Sequence, residues 1–297
     1  FFFSNSDNIN PYKFELENLR SGDTTKPVFS ETVNFTSGLE EIHGIATDLQ
    51  GNIYVAGKGG VEIFDSAGKS TYKVKINGTA NCISVDGKGY ILLGLNDHIE
   101  TWNKEGKQLS TWKSFGSDVV ITSIATNDDN MFVADAGQKV VYHCDLIGNL
   151  INKIGLKDPA TGVPGFIVPS AYFDLGIGKD GNLWVVNPGR HSFEKYNSDG
   201  KLFTSWGKAS MAMEGFCGCC NPSNFAMIYD SLFVTSEKAI ERVKIYNADG
   251  SFRCVVATPD QFEAGTKGLD LAVDKNNRIL LLDPVKKLVR IFEPIKS

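Results

Sequence analysis

Two residue types recur through this chain at a fixed interval. An Asp is followed 20 positions later by a Gly at Asp48 and Gly68, Asp86 and Gly106, Asp128 and Gly148, Asp180 and Gly200, and Asp230 and Gly250. Asp274 opens a sixth copy whose twentieth residue, Pro294, lies next to the last few residues. An internal period constrains a fold more than any composition does. Each copy must form one unit that buries its faces on its neighbours. Apolar or alternating runs precede the Asp, as in Ile45-Ala46-Thr47, Ile83-Ser84-Val85 and Leu271-Ala272-Val273. After a Gly/Asn turn come runs such as Ile53-Tyr54-Val55-Ala56, Met131-Phe132-Val133-Ala134 and Leu183-Trp184-Val185-Val186. A third run alternates, as in Val61-Glu62-Ile63-Phe64 and Val243-Lys244-Ile245-Tyr246. The marker Gly lies in the next turn, and a fourth run such as Leu202-Phe203-Thr204-Ser205-Trp206 ends the copy.

Short runs rich in Val, Ile, Phe and Tyr between Gly/Asn/Asp turns are antiparallel strands. Four strands per copy in six copies predict an all-β fold, a six-bladed β-propeller. The sixth copy runs out after its third strand, Leu288-Val289-Arg290-Ile291-Phe292. The alternating segment 27–35, Pro-Val-Phe-Ser-Glu-Thr-Val-Asn-Phe, is expected to supply the missing outer strand and close the ring. Residues 27–297 then form one domain, with 1–26 as an N-terminal extension that follows a removed targeting segment.

The 297 residues carry 42% hydrophobic and 22% charged side chains and a net charge of −5. That balance excludes a disordered chain and argues against nucleic acid as a partner. No run of about 18 apolar residues is present, so no transmembrane helix is encoded. The expectation is an exported monomer, periplasmic or extracellular, with a lipid anchor upstream of residue 1 as one form of it. Six cysteines are too few for a disulfide scaffold.

The segment Ile42-His43-Gly44-Ile45-Ala46-Thr47-Asp48-Leu49-Gln50-Gly51-Asn52-Ile53-Tyr54-Val55-Ala56 resembles the signature of NHL-repeat six-bladed propellers, echoed by Leu269-Asp270-Leu271-Ala272-Val273-Asp274. The resemblance implies the fold over residues 27–297. It leaves function open, since such propellers host binding modules, lyases and hydrolases. The stretch Gly215-Phe216-Cys217-Gly218-Cys219-Cys220-Asn221-Pro222 resembles a Gly-Cys-Cys-Asn-Pro element of some bacterial NHL-type propellers.

Spacings between successive Asp marks are 38, 42, 52, 50 and 44 residues, so the links before blades four and five are the longest. Loops on a rigid scaffold carry function, and these two rise on one face. The ligand-binding candidates there are Asn187, Arg190, His191, Asn221 and Asn224, with His43 at the channel. The expected function is a binding or scaffold module for a protein, peptide or small molecule on the face of blades four and five. An alternative is a metal- or thiol-dependent enzyme or redox protein. Cys217, Cys219 and Cys220 with His191 are a donor set suited to zinc or copper, and a neighbouring Arg lowers a thiol pKa. A disulfide pinning the loop is the plainer reading of the same cysteines, while Cys82, Cys144 and Cys254 are expected in the core. A further alternative is a calcium-dependent lactonase-like hydrolase, with Asn187, Asn224, Asp270 and Asp283 as the oxygen ligands. Trp102, Trp112, Trp184 and Trp206 fall at repeated strand positions and are expected between blades.

Overall fold

The computed structural model describes residues 26–295, apart from Cys219 and Asp230. The N-terminal extension therefore lies almost wholly outside the described residues. Six antiparallel sheets are present, five of four strands and one of three. Their innermost strands are Ile42–Thr47, Cys82–Val85, Ile121–Thr126, Leu175–Ile177, Asn224–Ile228 and Asp270–Val273, and each touches the next around a closed ring. The second and third strands of each sheet are almost continuously buried, as apolar runs with two covered faces must be. Outermost strands such as Gln108–Thr111 and Leu202–Trp206 face water.

Closure follows the sequence expectation. Phe29–Thr36 lies antiparallel to Leu288–Pro294 and forms the outer strand of blade six. Its burial alternates residue by residue, the signature of a strand covering one edge.

Blade one departs from the four predicted strands. Ile53–Phe64 is one strand of twelve residues, pairing through its first part with Ile42–Thr47 and through its second with Ser70–Thr79. The glycines between the two predicted runs explain this. At Gly57 and Gly60 a Cβ would lie 1.9 Å and 2.3 Å from the carbonyl oxygens of Glu41 and Val74. With hydrogen there instead, the neighbouring backbones close in and the ladder runs through the bend.

The Asp marks need re-registration. The hydrogen-bonded turn after the inner strand begins at Asp48, Asp86, Asn127, Gly178 and Asp274. Asp128 and Asp180 therefore lie one and two residues inside their turns. The Gly marks are equivalent in the first five blades: Gly68, Gly106, Gly148, Gly200 and Gly250 all have positive φ and close the same turn. Each also lies against the outer strand of the preceding blade, on Phe35, Tyr72, Trp112, Ile154 and Trp206 respectively. Phe35 comes from the closing N-terminal strand, so the last blade meets the first as any other pair meets.

The core lies between blades rather than within one. Tyr54, Ile63 and Val74 of blade one pack with Ile83, Leu93 and Trp102 of blade two. Trp184 and Phe193 of blade four pack with Phe225, Phe233 and Tyr246 of blade five. Removing these faces from water is what holds the ring together. All four tryptophans take part, as expected from their repeated positions.

Candidate functional site

A cavity of about 790 Å³ opens at one end of the central channel, within the range of ordinary ligand pockets. Its rim comes from links into the inner strands and from loops between second and third strands: Glu40, Glu41, Asn96, Ala171, Lys267 and Lys287. The link before blade four contributes Ala171, Tyr172 and Phe173 to its lining. Five of its lining residues come from a single inner-strand position that recurs in every blade and lines the cavity in all but blade one. The residues there lie opposite Ala56, Gly94, Ala134, Val186, Ser236 and Leu282 of the second strands. They are Gly44, Cys82, Ser123, Asp174, Asn224 and Asp270.

In blades three to six these side chains are joined across the blade seams. Ser123 Oγ donates to Asp174 Oδ1 at 2.6 Å and accepts the Leu175 N–H at 3.4 Å. Asp174 Oδ2 accepts the Phe225 N–H at 2.8 Å. Asn224 Nδ2 donates to Asp270 Oδ1 at 3.0 Å, and Asp270 Oδ2 accepts the Ile45 N–H at 2.8 Å. Thus each acid receives a backbone N–H from the following blade, besides one from its own strand. Among the described residues no Lys or Arg forms an ion pair with Asp174 or Asp270. Burial raises both carboxyls above the usual range, and the Asp270 charge raises Asp174 further, against the pull of their hydrogen bonds. Cys82 lines the cavity beside them, and burial together with the two carboxylates pushes its thiol up.

The sequence-derived candidates divide between two places. His43 and Asn224 line the cavity. The other four hold the long links. Asn187 is fully buried, accepting the Ile167 N–H and donating to the Gly165 carbonyl and to Glu194. Arg190 donates to the carbonyls of Gly165 and Pro164. His191 Nε2 bonds the Gly218 carbonyl, so the link before blade five is tied to the loop between the second and third strands of blade four. Asn221 donates to the carbonyls of Cys217 and Lys238 and accepts the Lys238 N–H, tying the link to blade five.

Of the proposed thiol set, Cys217 is buried and unbridged, Cys220 is buried, and Cys219 lies outside the described residues. Burial and the Glu237 charge push the Cys217 thiol up, outweighing Arg242 and Lys244. Among the described residues no three His, Cys, Asp or Glu side chains converge on a metal position. Of the oxygen ligands considered for calcium, Asn224 and Asp270 share the cavity. Asn187 and Asp283 do not line it, and Asp283 caps the Lys286 N–H elsewhere.

Asp174 escaped sequence reasoning because the Asp marks were counted from Asp180. Four residues before Asp180 lies Gly176, whereas four residues before the true turn start, Gly178, lies Asp174. The signal available in the sequence was that Gly44 and Asp270 hold the same place in the two signature segments, four residues before Asp48 and Asp274.

Residues 36–65 match the family model SBBP, described as Beta-propeller repeat. Solved structures match over most of the chain. A streptogramin B lyase structure shares 11% identity at TM-score 0.59, covering 89% of this chain and 97% of its own. The fold is a six-bladed β-propeller. Virginiamycin B lyase from Staphylococcus aureus shares 13% at TM-score 0.59 over 91% of this chain and 89% of its own. A protein of unknown function from Bacteroides caccae shares 13% at 0.57 over 75% and 84%. Identities this low carry the propeller architecture and nothing about chemistry. The comparison with curated proteins gives no match. The narrower NHL type and the Gly-Cys-Cys-Asn-Pro element find no support in these matches. No helix among the described residues is long and apolar enough to cross a membrane.

Proposed function

We propose that this propeller is a binding module that takes a small polar ligand into the mouth of its channel, on the face built partly by the links of blades four and five. The observation that carries this reading is the 790 Å³ cavity, walled by all six inner strands and floored by polar side chains. Those strands are rigid, so the floor is preorganised and a ligand pays little ordering cost. The links of blades four and five support the wall. Tyr172 lines the cavity, Lys238 lies 4.3 Å over its ring, and Lys238 is clamped by Asn221. The role of the long links is accordingly to position this wall.

One observation favours a second, enzymatic reading. Burial holds Asp174 and Asp270 above the usual carboxylate range, which is how general acids and bases are made. The two lyases among the structural neighbours share the fold only. A thermal-shift screen with a library of small polar compounds tests the binding reading. Ala171→Trp adds bulk at an exposed position of the rim. Stabilising hits that vanish in Ala171→Trp, with its folding unchanged, are the expected result. Hits that persist in that variant would move the site elsewhere. Turnover of a hit compound, lost in Asp174→Asn, would favour the enzymatic reading.

A further inference from the structure

The cavity has charge of one sign at its floor and of the other at its rim, and this asymmetry selects a ligand class. At the floor, Asp174 and Asp270 flank Asn224. Three buried acids elsewhere have cationic partners: Glu62 has Lys73 at 3.2 Å, Glu237 has Arg242 at 2.9 Å, and Asp274 has Arg278 at 2.7 Å, while Asp135 and Glu194 are held by neutral donors and do not line the cavity. The two channel acids have only N–H and O–H donors. Each accepts three such bonds, and a carboxylate has about four acceptor positions, so each keeps capacity toward the cavity. At the rim the acids are already satisfied. Glu40 and Glu41 lie 2.7 and 3.6 Å from Lys58, and Glu41 also lies 3.5 Å from His43. Lys267 and Lys287 remain exposed on the same rim; among the described residues neither has a carboxylate within 4 Å, and the Lys287 charge acts on Glu40 from farther off.

A cavity with unneutralised acceptors below and cations above orients a dipolar molecule along the channel axis. An ammonium group supplies three donors in a compact charge, which suits two carboxylates and the Asn224 carbonyl oxygen. A metal ion is the poorer fit, because no third carboxylate or imidazole converges with the two acids. We propose that the channel mouth binds a zwitterion of the amino-acid or short-peptide class, with its ammonium group at Asp174 and Asp270 and its carboxylate toward Lys267 and Lys287.

This inference rests on the channel mouth being the binding site, and the test separates the two. A mixed dipeptide library is titrated by ligand-observed NMR in three forms: free, N-acetylated and C-amidated. The free form is expected to bind at least tenfold more tightly than the N-acetylated one, with the C-amidated form between them. The double variant Lys267→Ala/Lys287→Ala is expected to weaken the free form and leave the C-amidated form unchanged. That variant alters only exposed rim residues, so it stays informative if Asp270→Asn fails to fold. Equal binding of free and N-acetylated forms, abolished by Ala171→Trp, would keep the site and overturn the zwitterion. Binding untouched by Ala171→Trp, or no binding by dipeptides or by neutral fragments, would overturn both.

Discussion

Gly148 and Gly250 do two jobs with one missing side chain. Both adopt positive φ, which costs an L-residue about 1–2 kcal/mol. Both also lie under an indole of the preceding blade. A Cβ at Gly148 would lie 2.7 Å from the Trp112 ring, and one at Gly250 would lie 2.8 Å from Trp206. Gly200 has the same φ sign and turn, but its nearest neighbour is Ile154 at 3.7 Å. Gly200→Ala should therefore cost only the backbone term. Gly148→Ala and Gly250→Ala should each cost a further 1–3 kcal/mol or so through overpacking between blades. Denaturant midpoints of the three variants measure the difference, and equal costs would show that the ring contact contributes nothing. The repeated Gly was plain in the sequence. That its open face is a seat for the neighbouring blade was not, because the aromatic comes from 36 residues away at Gly148 and 44 at Gly250.

The link before blade five shows how an element is held by a residue outside it. Lys244, fully buried on the third strand, donates to the carbonyls of Met213 and Gly215 at 3.0 and 2.7 Å. It also pairs with Glu237, whose other oxygen takes Arg242. Its ring neighbours are Phe216 at 5.0 Å and Tyr246 at 5.2 Å. Lys244→Met should destabilise the protein by about 3 kcal/mol, because Glu237 keeps its burial and loses one of two partners. Urea denaturation reads that loss. Burial also pushes the lysine down to about 8, from an unfolded value near 10.4. Between those values the folded chain binds fewer protons than the unfolded one, so this group's contribution rises with pH across that window. Below about pH 8 its full desolvation cost is present. The stability gap between wild type and Lys244→Met should accordingly widen from about pH 8 to about pH 10, and a constant gap would refute the assignment. The alternation Val243-Lys244-Ile245 marked a strand, but it could not reveal that Lys244 faces a loop folded down over it.

At the scale of the whole molecule, closure depends on a strand far from its partner in sequence. Val33 and Phe35 pack with Val289, Ile291 and Phe64, and Phe35 meets Phe64 at 4.7 Å between ring centroids. Arg290 donates from Nη2 to Glu31 at 2.6 Å across the same joint. A chain lacking residues 26–36 leaves Leu288–Pro294 as an unpaired edge and opens the seat of Gly68. Such an edge pairs with other chains. Light scattering should show association of the truncated chain at concentrations where the full chain is dispersed, together with a lower denaturation midpoint. A dispersed variant of unchanged midpoint would show the ring to be stable open.

By itself the sequence determined the blade count, the four-strand unit and the closing strand. Those follow from period, alternation and turn residues, which are local properties written into each copy. Only the tertiary structure decided the chemistry of the floor. Ser123, Asp174, Asn224 and Asp270 lie 46 to 51 residues apart along the chain and meet because six inner strands converge on one axis. The tertiary structure also turned Asn187, Arg190 and Asn221 from ligand candidates into loop clamps. Their side chains face carbonyls and N–H groups of long links, and buried backbone groups must be paired before any ligand can be.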